Sequence, residues 1–395
     1  MVDAGPLHGL PLLGDLPDVA GRRVLVRVDF NVPLRRVEGA EAQIEDDFRI
    51  RAALPTLQWL TDRGAQVRAV SHLGRPKGTR DPRYDLAPVR RRLAELAPTV
   101  TLGDNLRFDP GEEANDPAFT ARLIDGVDCY VNDAFGASHR AHASVVGPPL
   151  ALPSAAGLLL QREVEVADRL LTSAEHPFVA VVGGAKVADK LGVLRSLLQR
   201  VDRLVVGGGM AFTFLAAQGH RIGASLLDPN RIDDCRRLLA EAGERLLLPV
   251  DVVALAPGGT IGAGDGAGGT GDVRRGPVDL DDGWQGMDIG PRSAAAYAET
   301  LAGARTIFWN GPMGVFEDDR FAAGTRAVAE AVAACSGFSV VGGGDSAAAL
   351  DRLGLAGSVG FVSTGGGASL ELLEHGDLPG LAALRQAPNA PGRQR

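Results

Sequence analysis

The feature that most constrains the fold of this chain is a recurring unit. In each copy, a short apolar run rich in β-branched residues leads into a glycine-rich or polar turn and then into a helical pattern. Such units open at residues 23–31 (RVLVRVDFN), 65–75, 128–136, 178–186, 204–210, 306–314, 339–345 and 360–367. Strands that lack polar alternation and are each followed by a helix indicate parallel sheets covered on both faces.

The length of the chain favours two domains, because 395 residues exceed what one hydrophobic core usually organises. A turn-rich stretch at 147–157 (GPPLALPSAAG) is followed by a helical pattern at 158–171. We therefore expect two Rossmann-like α/β domains, 1–157 and 158–380, each a mostly parallel sheet with helices on both faces. The helix at 158–171 is predicted to join them as a hinge, and the tail at 381–395 to return to the first domain.

One segment departs from the repeating pattern. Residues 257–271 (PGGTIGAGDGAGGTG) are too poor in apolar side chains to form a helix or strand, so we predict a mobile loop. Its GxGxxG at 264–269 follows no strand, which argues against a dinucleotide fingerprint. The GxGxxA at 342–347 has the right context, but the next strand ends in FVST and lacks the acidic residue of a dehydrogenase. No Walker A sequence is present.

Charge and cysteine usage restrict the partners. A net charge of −8 argues against nucleic acid and anionic membranes, and favours small-molecule partners. Cys129, Cys235 and Cys335 are widely spaced, which is typical of a reducing compartment. The N-terminus resembles no signal peptide, and no long apolar run occurs. We expect a soluble, cytoplasmic protein that is a monomer.

The first half places cationic and polar side chains just after its strands, where parallel sheets bind ligands. These candidates are Asp29, Asn31, His72, Arg75, Arg107 and Arg140, and Arg49, at the start of a predicted helix, adds another cation. Arginine forks match carboxylate and phosphate oxygens, so the set suits a small substrate that bears both groups. Scattered surface arginines remain the alternative. His139 and His142 could bind zinc at helical spacing, but a hydrogen-bonding role is favoured because no third ligand is evident.

The second half presents glycine turns instead. Glycine allows backbone N–H groups to approach phosphate oxygens, so the turns at 183–184, 207–209, 342–344 and 365–367 suggest a polyphosphate ligand. Lys186 and Lys190 are predicted to lie four residues apart at the start of a helix, on one face. Asp345 is interpreted as a helix cap that could also be a ligand for Mg²⁺.

Eight motifs in order resemble the phosphoglycerate kinase family. They are VLVRVDFNVPL (24–34), SHLGRPKG (71–78), VNDAFGASHRAHAS (131–144), GGAKVADK (183–190), GGGMAFTFL (207–215), WNGPMGVFE (309–317), GGGDS (342–346) and STGGGASLELL (363–373). The resemblance implies reversible Mg²⁺-dependent phosphoryl transfer between 1,3-bisphosphoglycerate and ADP, giving 3-phosphoglycerate and ATP. It also implies that the domains close about the hinge.

The resemblance further implies particular site residues. In the first domain, 3-phosphoglycerate would be bound by Asp29, Phe30, Asn31, Arg49, His72, Leu73, Gly74, Arg75, Arg107 and Arg140. In the second, ATP or ADP would be bound by Lys186, Lys190, Gly207, Gly208, Gly286, Glu317, Gly343, Gly344, Asp345 and Ser346, with Asp345 toward Mg²⁺. Arg49, Lys186, Lys190, Gly344 and Gly367 would act in catalysis.

The chain departs from the family at 93–108 (LAELAPTVTLGDNLRF). Family members usually have a strand, a helix and a second strand before LRF, and this segment is too short for all three. We therefore expect a missing edge strand and a displaced Arg107. Two alternatives stay open: a divergent paralogue that acts on a related carboxylate, and a non-catalytic protein that binds phosphorylated ligands.

Overall fold

The computed structural model describes residues 5–36, 41–262 and 268–392. The chain divides into two compact units. Unit 1 comprises Met1–Asp168 and His375–Arg395, and unit 2 comprises Arg169–Glu374. The expected α/β architecture is confirmed, since each unit is built around a parallel sheet with helices packed on it.

Unit 1 contains a five-stranded parallel sheet in the order β5-β4-β1-β6-β7. A short antiparallel pair, β2 and β3, lies outside it. The strands of this unit are β1 (Arg23–Val28), β2 (Leu34–Arg35), β3 (Gln43–Ile44), β4 (Gln66–Val70), β5 (Thr101–Leu102), β6 (Cys129–Asp133) and β7 (Ser154–Ala156).

The helices of unit 1 cover this sheet. They are α1 (Phe48–Thr61), α2 (Ala87–Leu96), α3 (Pro110–Glu113), α4 (Pro117–Ile124), α5 (Ala143–Val146), α6 (Pro148–Ala151), the first part of α7 (Leu158–Thr172) and, from the end of the chain, α15 (Pro379–Leu384). Val24, Val26 and Val28 of β1 pack in one buried cluster with Leu57 of α1 and Leu93 of α2. Because side chains alternate across a strand, Arg27 faces the opposite side of the sheet.

The shortened segment forms only small elements. After α2 ends at Leu96, the chain adds the two-residue strand β5 at the edge of the sheet and then a 3₁₀ turn at Leu106–Phe108. Thr101 and Leu102 pair with Arg68 and Ala69 of β4. The segment therefore supplies one short edge strand in place of the strand, helix and strand that the resemblance implies.

Helix α7 begins against the end of β6. Both oxygens of the Asp133 carboxyl are enclosed, and Oδ1 accepts hydrogen bonds from the N–H groups of Leu159 (3.0 Å) and Leu160 (3.2 Å). These N–H groups belong to the first turn of the helix and have no partner within it. Burial raises the pKa of Asp133 to about 7, although these hydrogen bonds oppose the rise.

Unit 2 contains a six-stranded parallel sheet in the order β10-β9-β8-β14-β15-β16 and a three-stranded antiparallel sheet in the order β12-β11-β13. The strands are β8 (Phe178–Val182), β9 (Arg203–Val206), β10 (Leu246–Leu247), β11 (Asp251–Leu255), β12 (Val273–Pro277), β13 (Gln285–Ile289), β14 (Thr306–Asn310), β15 (Phe338–Gly342) and β16 (Phe361–Val362). The sequence pattern did not predict the antiparallel sheet.

The helices of unit 2 are α8 (Leu191–Leu198), α9 (Ala211–Ala217), α10 (Ile232–Ala242), α11 (Pro291–Ala302), α12 (Ala323–Ala334), α13 (Gly344–Arg352) and α14 (Gly367–His375). Of these, α8, α9, α12, α13 and α14 follow strands of the repeating pattern as predicted, whereas α10 and α11 lie outside that pattern. The remaining short 3₁₀ turns of the chain are Leu13–Asp15, Pro82–Tyr84, Phe135–Ala137, Pro229–Arg231, Gly243–Arg245, Asp319–Phe321 and Ala356–Ser358. Across the three described stretches, no helix combines the length and apolar character needed to cross a membrane.

The glycine-rich segment is described at 257–262 and 268–271, where it forms no helix or strand, as expected. The backbones of Thr260 and Thr270 hydrogen bond to each other in both directions. Arg320 donates to the carbonyls of Thr260 and Thr270, and Asp318 accepts the N–H of Gly262. Residues 263–267, which include most of the GxGxxG pattern, lie outside the described residues, and the mobility of the loop stays a prediction.

Candidate active site

In unit 1, the loops that follow β1 and β4 are joined by side-chain contacts. The side-chain oxygen of Asn31 accepts a hydrogen bond from the N–H of Gly74 over 2.9 Å. The N–H of Phe30 donates to Oγ of Ser71 over 2.8 Å. The two strands are neighbours in the sheet, so their loops leave its carboxyl edge side by side.

Asp29 and Arg49 form an ion pair at this edge, between Oδ2 and Nη1. Burial alone would raise the pKa of Asp29, but the electrostatic interaction with His72, the charges of Arg49 and Arg27 and the N–H of Asn31 lower it to about 2. The carboxylate is therefore ionised throughout the physiological range. It holds the guanidinium of Arg49, which the first turn of α1 presents half-buried.

His72 is buried behind the loop that follows β4. Its Nδ1 lies 3.1 Å from Nη2 of Arg27, and Asp29 Oδ1 is 3.9 Å away. Burial lowers the pKa of His72 to about 3; the carboxylate of Asp29 opposes the change, and the positive charges of Arg27, Arg107 and Arg49 act in the same direction as burial. The imidazole is thus neutral at pH 7.

The expected displacement of Arg107 is not what the structure has. Nη1 of Arg107 donates to the carbonyl oxygen of Gly74 over 2.8 Å, and Nε lies 3.1 Å from Oε1 of Glu113. Asn105 anchors the same turn by donating to the carbonyl of Leu73 over 2.8 Å. The prediction failed because the contacts of residues 105–107 run to the β4 loop and do not depend on the segment that is missing.

The other candidates of unit 1 have different environments. Arg75 and Arg140 are exposed. The charge of Arg75 contributes to lowering the pKa of Arg107, and the charge of Arg140 contributes to lowering the pKa of His142. The side chains of Phe30 and Leu73 are buried in the hydrophobic interior. A ligand could therefore reach these two residues only through their backbone.

In unit 2, Lys190 is the best-defined candidate. Its Nζ donates to the carbonyl oxygen of Gly183 and to the side-chain oxygen of Asn310, each over 2.7 Å. Burial lowers the pKa of Lys190 to about 8, while the charges of Asp345 and Asp189 oppose the change. The ammonium is held in place and lies within electrostatic reach of Asp345.

The predicted helical relationship between Lys186 and Lys190 is wrong. Helix α8 begins only at Leu191, and Lys190 is its N-cap residue. Residues 187–190 form a turn closed by a hydrogen bond from Lys190 N–H to the carbonyl of Val187 over 3.0 Å, and Lys186 is exposed before it. The chain has 38 arginines and only three lysines, so two of the three lysines occur in this loop.

The glycine turns serve two different purposes. The N–H groups of Gly183, Gly184, Gly207 and Gly208 donate to carbonyl oxygens of the protein over 2.9–3.1 Å, so they are not free to bind phosphate. Gly208 has φ +65°, and a Cβ there would lie 2.8 Å from the carbonyl oxygen of Pro312. These turns are glycine because three loops pack backbone against backbone.

The first residue of α13 differs, since it faces open space. A Cβ at Gly344 would meet nothing within 4 Å, and the same holds at Gly367. The first N–H groups of α13, from Gly344 onward, have no acceptor within the helix, and no side chain of the described residues caps them. Asp345 is exposed at this end, whereas Ser346 is buried and its Oγ accepts the N–H of Gly311 over 2.6 Å.

Gly286 lies within β13 of the small antiparallel sheet, and Glu317 follows β14. The N–H of Gly286 donates to Oγ of Ser225 over 2.9 Å, and the ring of Phe212 fills the space that a side chain at Gly286 would need. Glu317 is exposed and directly precedes Asp318, which forms an ion pair with Arg320.

Sequence reasoning missed Asn310 as a candidate. While its Oδ1 binds Lys190, its Nδ2 is buried without a hydrogen-bond partner among the described residues. Nδ2 would lie 3.1 Å from a Cβ at Gly343. Asn310 ends β14, and the rule that ligands bind at strand ends could have identified it within the WNGP motif.

No cluster of three or more His, Cys, Asp or Glu side chains suited to a metal ion occurs among residues 5–36, 41–262 and 268–392. Mg²⁺ that arrives with a nucleotide needs only one or two protein carboxylates, because phosphates and water complete its coordination. Asp345 fits that requirement, since its carboxylate is exposed beside the free N–H groups of α13 and near Lys190.

The sequence is similar to known proteins along nearly its whole length. The family model described as "Phosphoglycerate kinase" matches residues 13–103 and 97–376, and the two matches overlap within the shortened segment. The phosphoglycerate kinase of Rubrobacter xylanophilus is 51% identical, over 93% of this chain and 96% of the relative. That of Frankia alni is 52% identical, over 93% of this chain and 98% of the relative.

Solved structures give the same result. Phosphoglycerate kinase from Coxiella burnetii has a TM-score of 0.82 at 39% identity, covering 94% of this chain and 97% of that one. The enzyme from Pyrococcus horikoshii has a TM-score of 0.80 at 30% identity, covering 95% of this chain and 99% of that one. Both similarities therefore extend across units 1 and 2.

Proposed function

Since this chain belongs to the phosphoglycerate kinase family, we propose that it transfers a phosphoryl group reversibly between 1,3-bisphosphoglycerate and ADP, giving 3-phosphoglycerate and ATP. Unit 1 binds the phosphoglycerate and unit 2 binds the nucleotide. This assignment follows the chemistry of the residues, because unit 1 offers guanidinium groups and unit 2 offers a fixed lysine and open helix amides. Hinge closure, which would bring the two substrates together, stays a prediction.

The acceptor binds to the carboxyl edge of the unit 1 sheet. Arg49, held by Asp29, and Arg107, held at Gly74, provide guanidinium groups whose positions are fixed before the substrate arrives. Exposed Arg75 and Arg140 can turn toward phosphate or carboxylate oxygens. Fixed cations are favourable for phosphoryl transfer because no energy is then needed to orient them during the reaction.

Lys190 neutralises negative charge on the phosphoryl group during its transfer. Its ammonium is anchored at Gly183 and Asn310, and the open N–H groups at Gly344 can bind oxygens of the same phosphates. Phosphoryl transfer through a loose transition state needs positioning and charge stabilisation more than a nucleophile or base from the protein. Lys186, Glu317 and Gly286 are further proposed nucleotide contacts, and Gly367 is a further proposed catalytic residue.

Asp345 would hold Mg²⁺, which neutralises charge on the phosphates when it is bound. A single carboxylate suffices because the nucleotide supplies further oxygen ligands. Asp345 also raises the pKa of Lys190, so it favours the protonated form of that lysine.

The observation that carries this proposal is the Lys190 anchor beside the open end of α13. The decisive experiment is a coupled assay of ATP-dependent turnover of 3-phosphoglycerate with the full chain. Turnover is expected; a folded protein without turnover would contradict the proposal. A changed acceptor is not favoured, since Arg107 keeps its contact with the β4 loop despite the shortened segment.

We also propose that the protein acts as a cytoplasmic monomer. Cys129 and Cys235 are buried free thiols and Cys335 is a partly buried one, which suits a reducing compartment. A net charge of −8 favours separate molecules through mutual repulsion. Light scattering behind size-exclusion chromatography should give a mass near 41.1 kDa, and a dimer mass would exclude the monomer.

A further inference from the structure

Arg27 is a fully buried cation that none of the proposed substrate contacts uses. It lies in β1, two residues before Asp29, and its side chain has no exposed surface. Its guanidinium donates to Oγ of Ser144 through Nε (3.0 Å), to the carbonyl of Val28 through Nη1, and toward Nδ1 of His72 through Nη2 (3.1 Å). A buried charge with three fixed partners has a position that the fold determines.

Ser144 is itself held in one orientation by Glu112. Its Oγ donates to Oε1 of Glu112 over 2.6 Å, and its N–H donates to Oε2 over 2.9 Å. Because the hydroxyl proton of Ser144 goes to the carboxylate, its oxygen is left to accept from Arg27. Glu112 is fully buried, so it supplies a counter-charge for Arg27 within the same network.

This network determines which nitrogen of the His72 ring carries the proton. An arginine can only donate hydrogen bonds, so Nδ1 of His72 must accept, and the proton of the neutral ring must be on Nε2. The charged groups that face the ring are Asp29, Arg27, Arg107 and Arg49. The only hydrogen bond of the ring to a described residue is the one at Nδ1, so no described residue accepts from Nε2. The donor at Nε2 is therefore available to a ligand.

We propose that Arg27, oriented by Ser144 and Glu112, is a positioning residue that fixes His72 as the neutral tautomer protonated at Nε2. His72 then meets the anionic acceptor as a hydrogen-bond donor and not as a cation. The inference rests on the proposed binding of the acceptor by unit 1. It adds that His72 recognises an acceptor oxygen through a directional hydrogen bond and not through a positive charge.

The tautomer can be measured on the full wild-type chain without any substrate. Proton–nitrogen correlation spectra of histidine-labelled protein distinguish the two neutral tautomers and the cation, and the signal absent from a His72→Gln variant identifies this ring. We expect a protonated Nε2 and an unprotonated Nδ1 from pH 8 down to pH 5. Protonation of Nδ1, or titration near the ordinary value of about 6.5, would overturn the proposal.

Two variants test the role of Arg27 in setting the tautomer. Arg27→Met removes the donor, and the His72 ring should then populate both tautomers and titrate closer to 6.5. Because this change leaves Glu112 buried without its counter-charge, the protein could fail to fold. Ser144→Ala releases the guanidinium while keeping its charge and should give a smaller change in the same direction. An unchanged tautomer in folded Ser144→Ala and Arg27→Met would overturn the role of Arg27.

Substrate binding provides a second, independent test. The amide nitrogen of glutamine reaches the position of Nε2, whereas that of asparagine reaches Nδ1. Calorimetry with 3-phosphoglycerate should show His72→Gln within about threefold of wild type and His72→Asn weakened about tenfold or more, as expected for a lost hydrogen bond to a charged group. The matched control is His220→Gln in unit 2, at a partly buried histidine that pairs with Asp279, and it should bind as wild type does.

The outcomes separate this inference from the proposed function. If His72→Asn binds as tightly as His72→Gln, the donor role is wrong. If wild-type protein shows the expected tautomer yet does not bind 3-phosphoglycerate, the proposed acceptor fails while the effect of Arg27 on the ring stands.

Discussion

The side-chain oxygen of Asn310 accepts a hydrogen bond from the ammonium group of Lys190 over 2.7 Å. Asn310 ends β14 and Lys190 caps α8, so the contact joins the loops of two neighbouring strands. The arrangement leaves room for a compact ammonium between Asn310 and the carbonyl of Gly183, and the predictions for unit 2 follow from that constraint.

Lys190→Arg should be nearly as damaging as Lys190→Ala. A planar guanidinium cannot occupy the space of a tetrahedral ammonium between two oxygens 2.7 Å away. Both variants should lower kcat by about 100-fold or more while leaving the affinity for 3-phosphoglycerate nearly unchanged. Steady-state kinetics with calorimetry of 3-phosphoglycerate binding will measure this. Equal losses of kcat and of 3-phosphoglycerate affinity would contradict the assigned role.

The lowered pKa of Lys190 predicts a pH dependence. Because the pKa of Lys190 is about 8 in the protein without ligand, its ammonium group loses its proton as the pH rises through 8. The value of kcat/KM for MgATP should fall over the same range. Asn310→Asp places a carboxylate beside the ammonium and should move this fall to higher pH. Asp189→Asn removes a charge that raises the pKa of Lys190 and should move the fall to lower pH. Shifts of the same sign in both variants would rule out Lys190 as the titrating group.

Gly208→Ala and Gly219→Ala form a matched pair, since both glycines have positive φ. A Cβ at Gly208 would lie 2.8 Å from the Pro312 oxygen, whereas a Cβ at Gly219 would meet nothing within 4 Å. We expect Gly219→Ala to cost roughly 1 kcal/mol of unfolding free energy. Gly208→Ala should cost on the order of 3 kcal/mol or more and weaken MgATP binding. Urea unfolding and calorimetry compare the two; similar costs would show that φ alone sets the need for glycine.

Asp133→Asn should change how the stability of the protein depends on pH. The folded-state pKa of about 7 lies above the unfolded value, so the native state binds more protons between these values. The contribution of the carboxyl is therefore present below pH about 4 and is lost as the pH rises through 7. Relative to wild type, Asp133→Asn should gain roughly 2–3 kcal/mol between pH 5 and pH 8. Urea unfolding of both proteins at pH 5 and pH 8 measures this gain. A difference in unfolding free energy between variant and wild type that is the same at both pH values would argue against the raised pKa.

Asp345→Asn should raise the Mg²⁺ concentration needed for half-maximal turnover. The amide cannot replace a carboxylate as a ligand, whereas the phosphates still hold the ion. Turnover at saturating Mg²⁺ should recover in part, and a titration of MgCl₂ at fixed ATP will show the shift. Asp319→Asn, at another exposed carboxylate of unit 2, is the control that should leave the titration unchanged. An identical curve for Asp345→Asn would remove this residue from the metal site.

The repeating pattern predicted the inner strands well, because β1 and β6 of unit 1 and β8, β9, β14 and β15 of unit 2 are largely buried runs without polar alternation. Strand β4 was also predicted, although its exposed Gln66 and Arg68 alternate with buried residues. The antiparallel sheet of unit 2 was missed. Its strand β12 carries Arg274 and Arg275 and alternates between exposed and half-buried residues, so its pairing with β11 depends on contacts that periodicity does not report.

The site was predicted as a set of strand ends, and its internal contacts were not. The helical spacing of Lys186 and Lys190 gave a wrong picture because the turn before α8 is shaped by packing of the Gly183 and Gly208 loops. Arg27 escaped notice because it lies within a strand, where a cation is ordinarily a surface residue. Only the burial of Glu112 and Ser144, which are distant in sequence, explains its position.

The two-residue strand β5 marks the place where this chain is shorter than its resemblance implies. Asp29, His72 and Arg140 follow β1, β4 and β6, and these three strands lie inside the edges of the sheet. The edge of the sheet can thus gain or lose residues without displacing the side chains of the proposed substrate site. For protein engineering, the stretch from Pro98 to Asp104 is therefore a suitable insertion site. A sensor domain could be inserted there while the function of the host protein is preserved.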